Sequence, residues 1–209
     1  MRFRSRRRQG ESMDIAIWFD FASNYSYLSV MRVEACARER GVGVSWRPFL
    51  LGPVFKSLGM DNSPFVTQKI KGAYVWTDME RQCAKYRLGW TKPTTFPRRS
   101  ILPARIATLA DGQTWQGEFI RQVMQLNFVE DHDMEDHAAL GAILASLGQD
   151  GPSIIAAAEA DAIKQQLRER TEQARLRGVF GAPTFFVGDE MFWGNDRLDD
   201  ALDLAATRR

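Results

Sequence analysis

The sequence predicts an α/β fold: a small sheet whose strands come from the two ends of the chain, with a large all-helical insertion between them. Three observations point there. A strand–helix–strand unit opens the chain after residue 13. Residues 52–177 show helical periodicity with almost no strand signal. A proline-led strand–turn–strand–helix unit closes the chain.

Residues 14–20 form a short apolar run rich in strand formers (Ile15, Ile17, Trp18, Phe19), which fits a buried first strand. A polar and aromatic turn, residues 21–26, leads into a helix over 27–40, with Leu28, Met31, Val33, Ala35 and Cys36 at its apolar positions and Gly41 as its stop. Residues 42–48 read as a second strand, ended by Pro48, which has no N–H to give to a ladder. Strand, helix and strand make a βαβ unit, whose connection is right-handed as a rule.

Residues 63–88 contain a helix with Ile70, Val75, Met79 and Cys83 along it, and helices follow over 102–110, 114–127 (Phe119, Ile120, Val123, Met124) and 134–147 (Leu140, Ile143, Leu144, Leu147). A long one opens at Asp150-Gly151-Pro152-Ser153, with proline near its first position, and runs to 177, where Gly178 stops it. Their apolar stripes read as core faces. The closing unit starts at Gly181-Ala182-Pro183. Strand formers at Thr184–Val187 and Glu190–Trp193 flank a Gly188-Asp189 turn, and a helix opens near Asn195 or Asp196. Ala182-Pro183 has two readings: the cis-proline that a thioredoxin-type fold places before a strand, leaving the preceding backbone free to pair with a peptide-like ligand, or a trans proline entering an edge strand. The order βα, insertion, proline-led ββα is the thioredoxin plan. It assigns residues 13–51 and 178–209 to a thioredoxin-like domain, 52–177 to an inserted helical domain, and 1–12 to a disordered basic extension.

At 209 residues, with 44% hydrophobic and 26% charged residues, the chain can bury a substantial core. The net charge of +2 owes much to Arg2, Arg4, Arg6, Arg7 and Arg8, so the body is near neutral. That basic head lacks the apolar run of a secretory signal, and Met13 is an alternative start; a nucleic-acid arm is the sharper but less favoured reading, and no nucleic-acid partner is expected. No run of about 18 apolar residues is present, so no membrane span is expected. Cys36 and Cys83 form no CxxC motif, fall within helical patterns and read as buried, inert thiols in a reducing, cytoplasmic setting. His132 and His137 are poorly spaced for ligation, and no metal is expected.

In this plan the reactive group belongs in the turn before the first helix, where unpaired backbone N–H groups favour negative charge, including a thiolate. A disulfide oxidoreductase would carry Cys-x-x-Cys there; this chain has Ser23-Asn24-Tyr25-Ser26, which excludes thiol–disulfide exchange by its own residues in that turn. A serine hydroxyl can still donate to sulfur and lower the pKa of a bound thiol, so a nucleophile would come from a cofactor. Taken alone, Ser23 reads better as a helix cap with no further role.

Three stretches carry a resemblance: residues 19–28 (Phe-Asp-Phe-Ala-Ser-Asn-Tyr-Ser-Tyr-Leu), residues 47–52 (Arg-Pro-Phe-Leu-Leu-Gly), and Gly181-Ala182-Pro183-Thr184-Phe185 through Phe192-Trp193-Gly194-Asn195-Asp196-Arg197-Leu198. Together the chain resembles the 2-hydroxychromene-2-carboxylate isomerases, relatives of the kappa-class glutathione transferases in the DsbA-like branch of the thioredoxin superfamily. The likeness spans residues 13–204 and departs from the family pattern at Asn24, where proline is common, and at Gly59-Met60-Asp61 before Asn62. The resemblance implies a thioredoxin-like (DsbA-like) fold, glutathione as cofactor, and Ser23 as the residue activating its thiol. The backbone of Ala182 before Pro183 would pair with the cysteinyl unit, and Trp193, Gly194, Asn195 and Asp196 would hold the γ-glutamyl end. Lys56, Asn62, Ser63 and Pro97 would face a small aromatic or unsaturated carboxylate substrate, with Arg98 a weaker candidate. A homodimer is implied as well. The expected reaction is isomerisation through reversible thiolate addition. The alternatives are a conjugating glutathione transferase and a non-catalytic thioredoxin-like binding module.

Overall fold

A computed structural model describes residues 14–208 of the chain; the basic extension expected over residues 1–12 lies outside them. Strand β1 (Ile15–Phe19) is followed by helices α1 (Asn24–Val30) and α2 (Val33–Glu39), then β2 (Val44–Pro48). Eight helices lie between β2 and β3 (Thr184–Val187) among the described residues: α3 (Leu51–Ser57), α4 (Pro64–Thr67), α5 (Lys69–Tyr86), α6 (Ile101–Leu109), α7 (Gln116–Phe128), α8 (His137–Ser146), α9 (Gly151–Ala158) and α10 (Asp161–Leu176). β4 (Glu190–Trp193), a 3₁₀ turn (Asn195–Arg197) and α11 (Leu198–Thr207) complete the chain.

The strands lie in the order β2-β1-β3-β4. β1 pairs in parallel with β2, Ile15 opposite Val44 and Phe19 opposite Pro48, while β3 runs antiparallel to β1 and β4. Pro48 ends an outer strand, where a missing N–H breaks no ladder. Alternation along β1 splits its side chains between two cores. Ile15, Ile17 and Phe19 join Phe185 and Val187 under α1, α2, α7 and α11, whereas Trp18 and Phe186 meet Phe49, Val54 and Ala174 on the other face. Cover on both faces is why β1 reads as a nearly continuous apolar run. Among the described residues no helix is long and apolar enough to cross a membrane.

The structure corrects the sequence reading at several joints. The helix expected over 27–40 starts earlier, at Asn24, and is two helices: the Arg32 N–H turns back to the Ser29 carbonyl three residues earlier and tightens the chain between them. The long helix from Gly151 also divides, because Ala160 is extended (ψ 147°). The helix read within 63–88 is α5 (Lys69–Tyr86), with the short α4 before it and Gln68 between the two. There Gly72 lets α5 rest on the backbone of α4, since a Cβ on it would lie 2.0 Å from the Phe65 carbonyl oxygen. Gly72→Ala should therefore push the two helices apart at about 1–3 kcal/mol of stability, and the same shift should raise KM for any ligand of the cleft that α4 borders, measured by urea unfolding and steady-state kinetics. Of the two free cysteines, Cys83 is buried, and burial pushes its thiol up to about 11; Cys36, expected to be buried as well, is only partly so.

Helix α3 has no counterpart in the sequence reading. Gly52 and Pro53 sit in its first turn, where a proline forfeits no hydrogen bond. Its cap comes from far along the chain: the Asp20 carboxylate accepts the Leu51 N–H at 2.7 Å.

Candidate active site

Ser23 is the N-cap of α1, in extended conformation (φ −83°, ψ 116°), and is 7% exposed. Its Oγ accepts the Ser26 N–H at 3.2 Å and donates to the Ala182 carbonyl at 3.0 Å. That carbonyl belongs to the peptide before Pro183, and the Ala182–Pro183 bond is cis. The turn after β1 and the turn before β3 thus meet at the sequence-predicted serine, because β1 and β3 are paired neighbours in the sheet.

Below this junction Asp20 ties three segments together. Its buried carboxylate accepts from Ala22 N–H (2.9 Å), Leu51 N–H (2.7 Å) and Ser100 Oγ (2.8 Å). Burial holds its pKa above the ordinary carboxylate value, against the opposing pull of those three hydrogen bonds.

A cleft of about 1350 Å³ opens over the junction. Its lining includes Ser23, Asn62, Ser63, Pro97, Ala182, Trp193, Gly194, Asn195 and Asp196. Two sequence-predicted residues are outside the lining: Pro183, buried behind Ala182, and Lys56, exposed on the outward side of α3. Lys56 falls away because a helix, which the sequence reading did not place there, turns it from the cleft while Phe55 lines it. Asn195 is buried, and its side-chain carbonyl accepts from Ser29 Oγ (3.0 Å) and Arg32 (3.1 Å). Gly194 takes φ +109°, a backbone suited to glycine. Trp193, 52% exposed, packs on Phe180 with ring centroids 4.8 Å apart. Ser63 caps α4 by accepting the Phe65 N–H. Arg98 lines the cleft but is committed elsewhere: its guanidinium donates to Asn127 Oδ1 (2.9 Å) and the Asp131 carbonyl (3.0 Å) and pairs with the Asp131 carboxylate. It is a strap under the Phe96–Pro97 loop rather than a free cation.

The wall contributed by α5 was not foreseen. Tyr25 donates its phenol to Asp78 Oδ2 at 2.6 Å, and burial, reinforced by Asp78, raises its pKa and keeps it neutral. Lys71 and Lys85 line the same wall, their ammonium groups 5.9 Å from the Phe65 ring centroid and 5.1 Å from that of Tyr86. The only sequence signal for this wall was a helix with polar residues opposite its buried Val75, Met79 and Cys83, which is also how a helix facing solvent reads.

A cis-proline opening β3, a capped polar turn after β1 and the β2-β1-β3-β4 sheet define a thioredoxin-like protein, and residues 14–205 match the family model for a DSBA-like thioredoxin domain. A 2-hydroxychromene-2-carboxylate isomerase of Sphingobium xenophagum is 33% identical over 188 residues, covering 88% of this chain and 94% of that protein. A solved structure of 2-hydroxychromene-2-carboxylate isomerase matches with a TM-score of 0.84 at 26% identity, covering 94% of this chain and 95% of the other. The cytosolic disulfide reductase DsbM of Pseudomonas aeruginosa, solved with GSH, matches with a TM-score of 0.63 over 93% of this chain and 96% of its own; at 14% identity that is a likeness of fold. The chain belongs to the DSBA-like thioredoxin family and, within it, to the 2-hydroxychromene-2-carboxylate isomerases.

Proposed function

We propose that this protein is a glutathione-dependent cis–trans isomerase acting on 2-hydroxychromene-2-carboxylate or a similar unsaturated aromatic keto acid. The observation that carries the proposal is the Ser23 hydroxyl, which stands at the head of α1, where a disulfide oxidoreductase would carry a cysteine, and lies 3.0 Å from the carbonyl before the cis-proline. The isomerase relatives supply the reaction class, and the DsbM likeness gives a precedent for GSH on this fold.

The residues present fit glutathione. The Ala182 backbone borders the cleft as a pairing edge for a peptide-like unit, and the Ser23 hydroxyl stands beside it. Trp193, the Gly194–Asn195 backbone and the exposed Asp196 carboxylate would receive the γ-glutamyl end, Asp196 facing its ammonium group. When bound, glutathione supplies a thiolate that adds reversibly to a conjugated carbon, so that a double bond becomes a rotatable single bond until elimination restores it. Ser23 would donate its hydroxyl hydrogen to the sulfur, turning it away from Ala182, and so favour the charged form. Phe55, Leu58, Phe65 and Phe96 offer apolar walls for an aromatic ring, beside Asn62, Ser63 and Pro97. With Lys56 outside the cleft and Arg98, Arg99 and Arg197 of its lining each paired with a carboxylate, Lys71 and Lys85 of α5 are the cations placed to meet the substrate carboxylate. A cytoplasmic homodimer belongs to the same reading; the two free cysteines fit a reducing compartment, and sedimentation equilibrium tests the dimer.

Incubation with glutathione and 2-hydroxychromene-2-carboxylate, following isomer by absorbance and free thiol by titration, tests the reaction. Isomer should accumulate over many turnovers while total free thiol stays constant. Stoichiometric loss of thiol would make the protein a conjugating transferase instead, and absence of glutathione binding by calorimetry would leave only a binding module.

A further inference from the structure

We propose that Asn24 is a second hydrogen-bond donor to the sulfur of the bound thiol, acting beside Ser23; the inference rests on the glutathione reading above. Ser23 has one hydroxyl hydrogen, and in this structure it is directed at the Ala182 carbonyl. Its oxygen meanwhile accepts the Ser26 N–H, so the serine is occupied both as donor and as acceptor. Beside it, Asn24 is the first residue of α1, lines the cleft and is 1% exposed, yet its side-chain Nδ2 has no hydrogen-bond partner. Buried amide groups are nearly always paired, and leaving a donor unpaired is unfavourable. Ser26 Oγ on the same turn is also buried without a partner, but Ser26 is not part of the cleft lining.

An anionic sulfur resting between Ser23 and the Ala182 backbone would give the Asn24 amide the acceptor it lacks, and the amide would stabilise the thiolate over the thiol. A leucine of similar size would fill the same space but could not do this. The role is therefore electrostatic and specific to the ionised cofactor. Ligands without an ionisable thiol should not sense it.

The test is a titration of the enzyme-bound thiol. Wild type, Asn24→Ala and the volume-conserving Asn24→Leu are each saturated with glutathione, and thiolate is followed by its ultraviolet absorbance across pH. Calorimetry with glutathione and with S-methylglutathione accompanies the titration. Both variants should bind S-methylglutathione as the wild type does, while the pKa of their bound thiol rises by about one unit, a tenfold loss of thiolate at any pH well below it. Wild-type binding of glutathione with an unshifted bound-thiol pKa in both variants would overturn the role of Asn24 and leave the glutathione reading standing. Failure of the wild type itself to bind glutathione would overturn both.

Discussion

Ser23→Ala should lower isomerase turnover by about 10²-fold, the usual effect of deleting one preorganised donor to a developing or bound anion. The fold should survive it. The serine is an N-cap, and losing its bond to the Ser26 N–H removes about 1 kcal/mol, a small part of the stability of a domain of this size. Glutathione affinity should change little, because the Ala182 backbone and the segment from Trp193 to Asp196 are untouched. Ser23→Thr keeps the hydroxyl but adds a methyl group at a site only 7% exposed, so it should fall between the two. Turnover, the bound-thiol pKa and the urea midpoint separate these effects. If Ser23→Ala turns over like the wild type, the hydroxyl is only a cap, and thiol activation rests with other donors of the turn.

The parts of the site that the sequence made legible are those set by local chemistry. A proline opening a strand, a Gly-Asp turn at Gly188 (φ +63°) and a capping serine after an apolar run each constrain only the few residues around them. Strand pairing then brings Ser23 to Ala182 without further information. What escaped the sequence is what depends on distant partners. Helix α3 is capped by Asp20, whose Oδ2 accepts the Leu51 N–H from 31 residues away. That cap leaves no mark beside the helix, so α3 is absent from the sequence reading, which set Lys56 facing the substrate from the family resemblance alone. The polar face of α5 was legible as polar but not as the wall of a cleft, because only the tertiary fold turns Tyr25 toward Asp78.

The same long-range tie makes Asp20 the residue whose loss should most damage the structure around the site. Asp20→Leu would bury the Leu51 N–H, the Ala22 N–H and the Ser100 hydroxyl without their acceptor. Relief from burying a charge offsets part of that, leaving about 3 kcal/mol of destabilisation near neutral pH. Because Leu51 and Ser100 both line the cleft, whatever folds should also bind ligand poorly. Asp20→Asn keeps an acceptor oxygen and should be milder, and it isolates the titration. The Asp20 pKa in the folded protein lies above the 3.8 of an ordinary carboxylate, so folding takes up a proton between the two values. Wild-type stability contributed by this group therefore falls as pH rises from 3.8 through the folded pKa and is level above it. The asparagine variant lacks that slope. Urea unfolding of the pair at a series of pH values should show the wild type gaining on Asp20→Asn as pH is lowered toward 3.8. A difference independent of pH would mean that the three hydrogen bonds offset the burial of the charge, and that the tie works as a fixed anion rather than as a group that shares its proton with the fold.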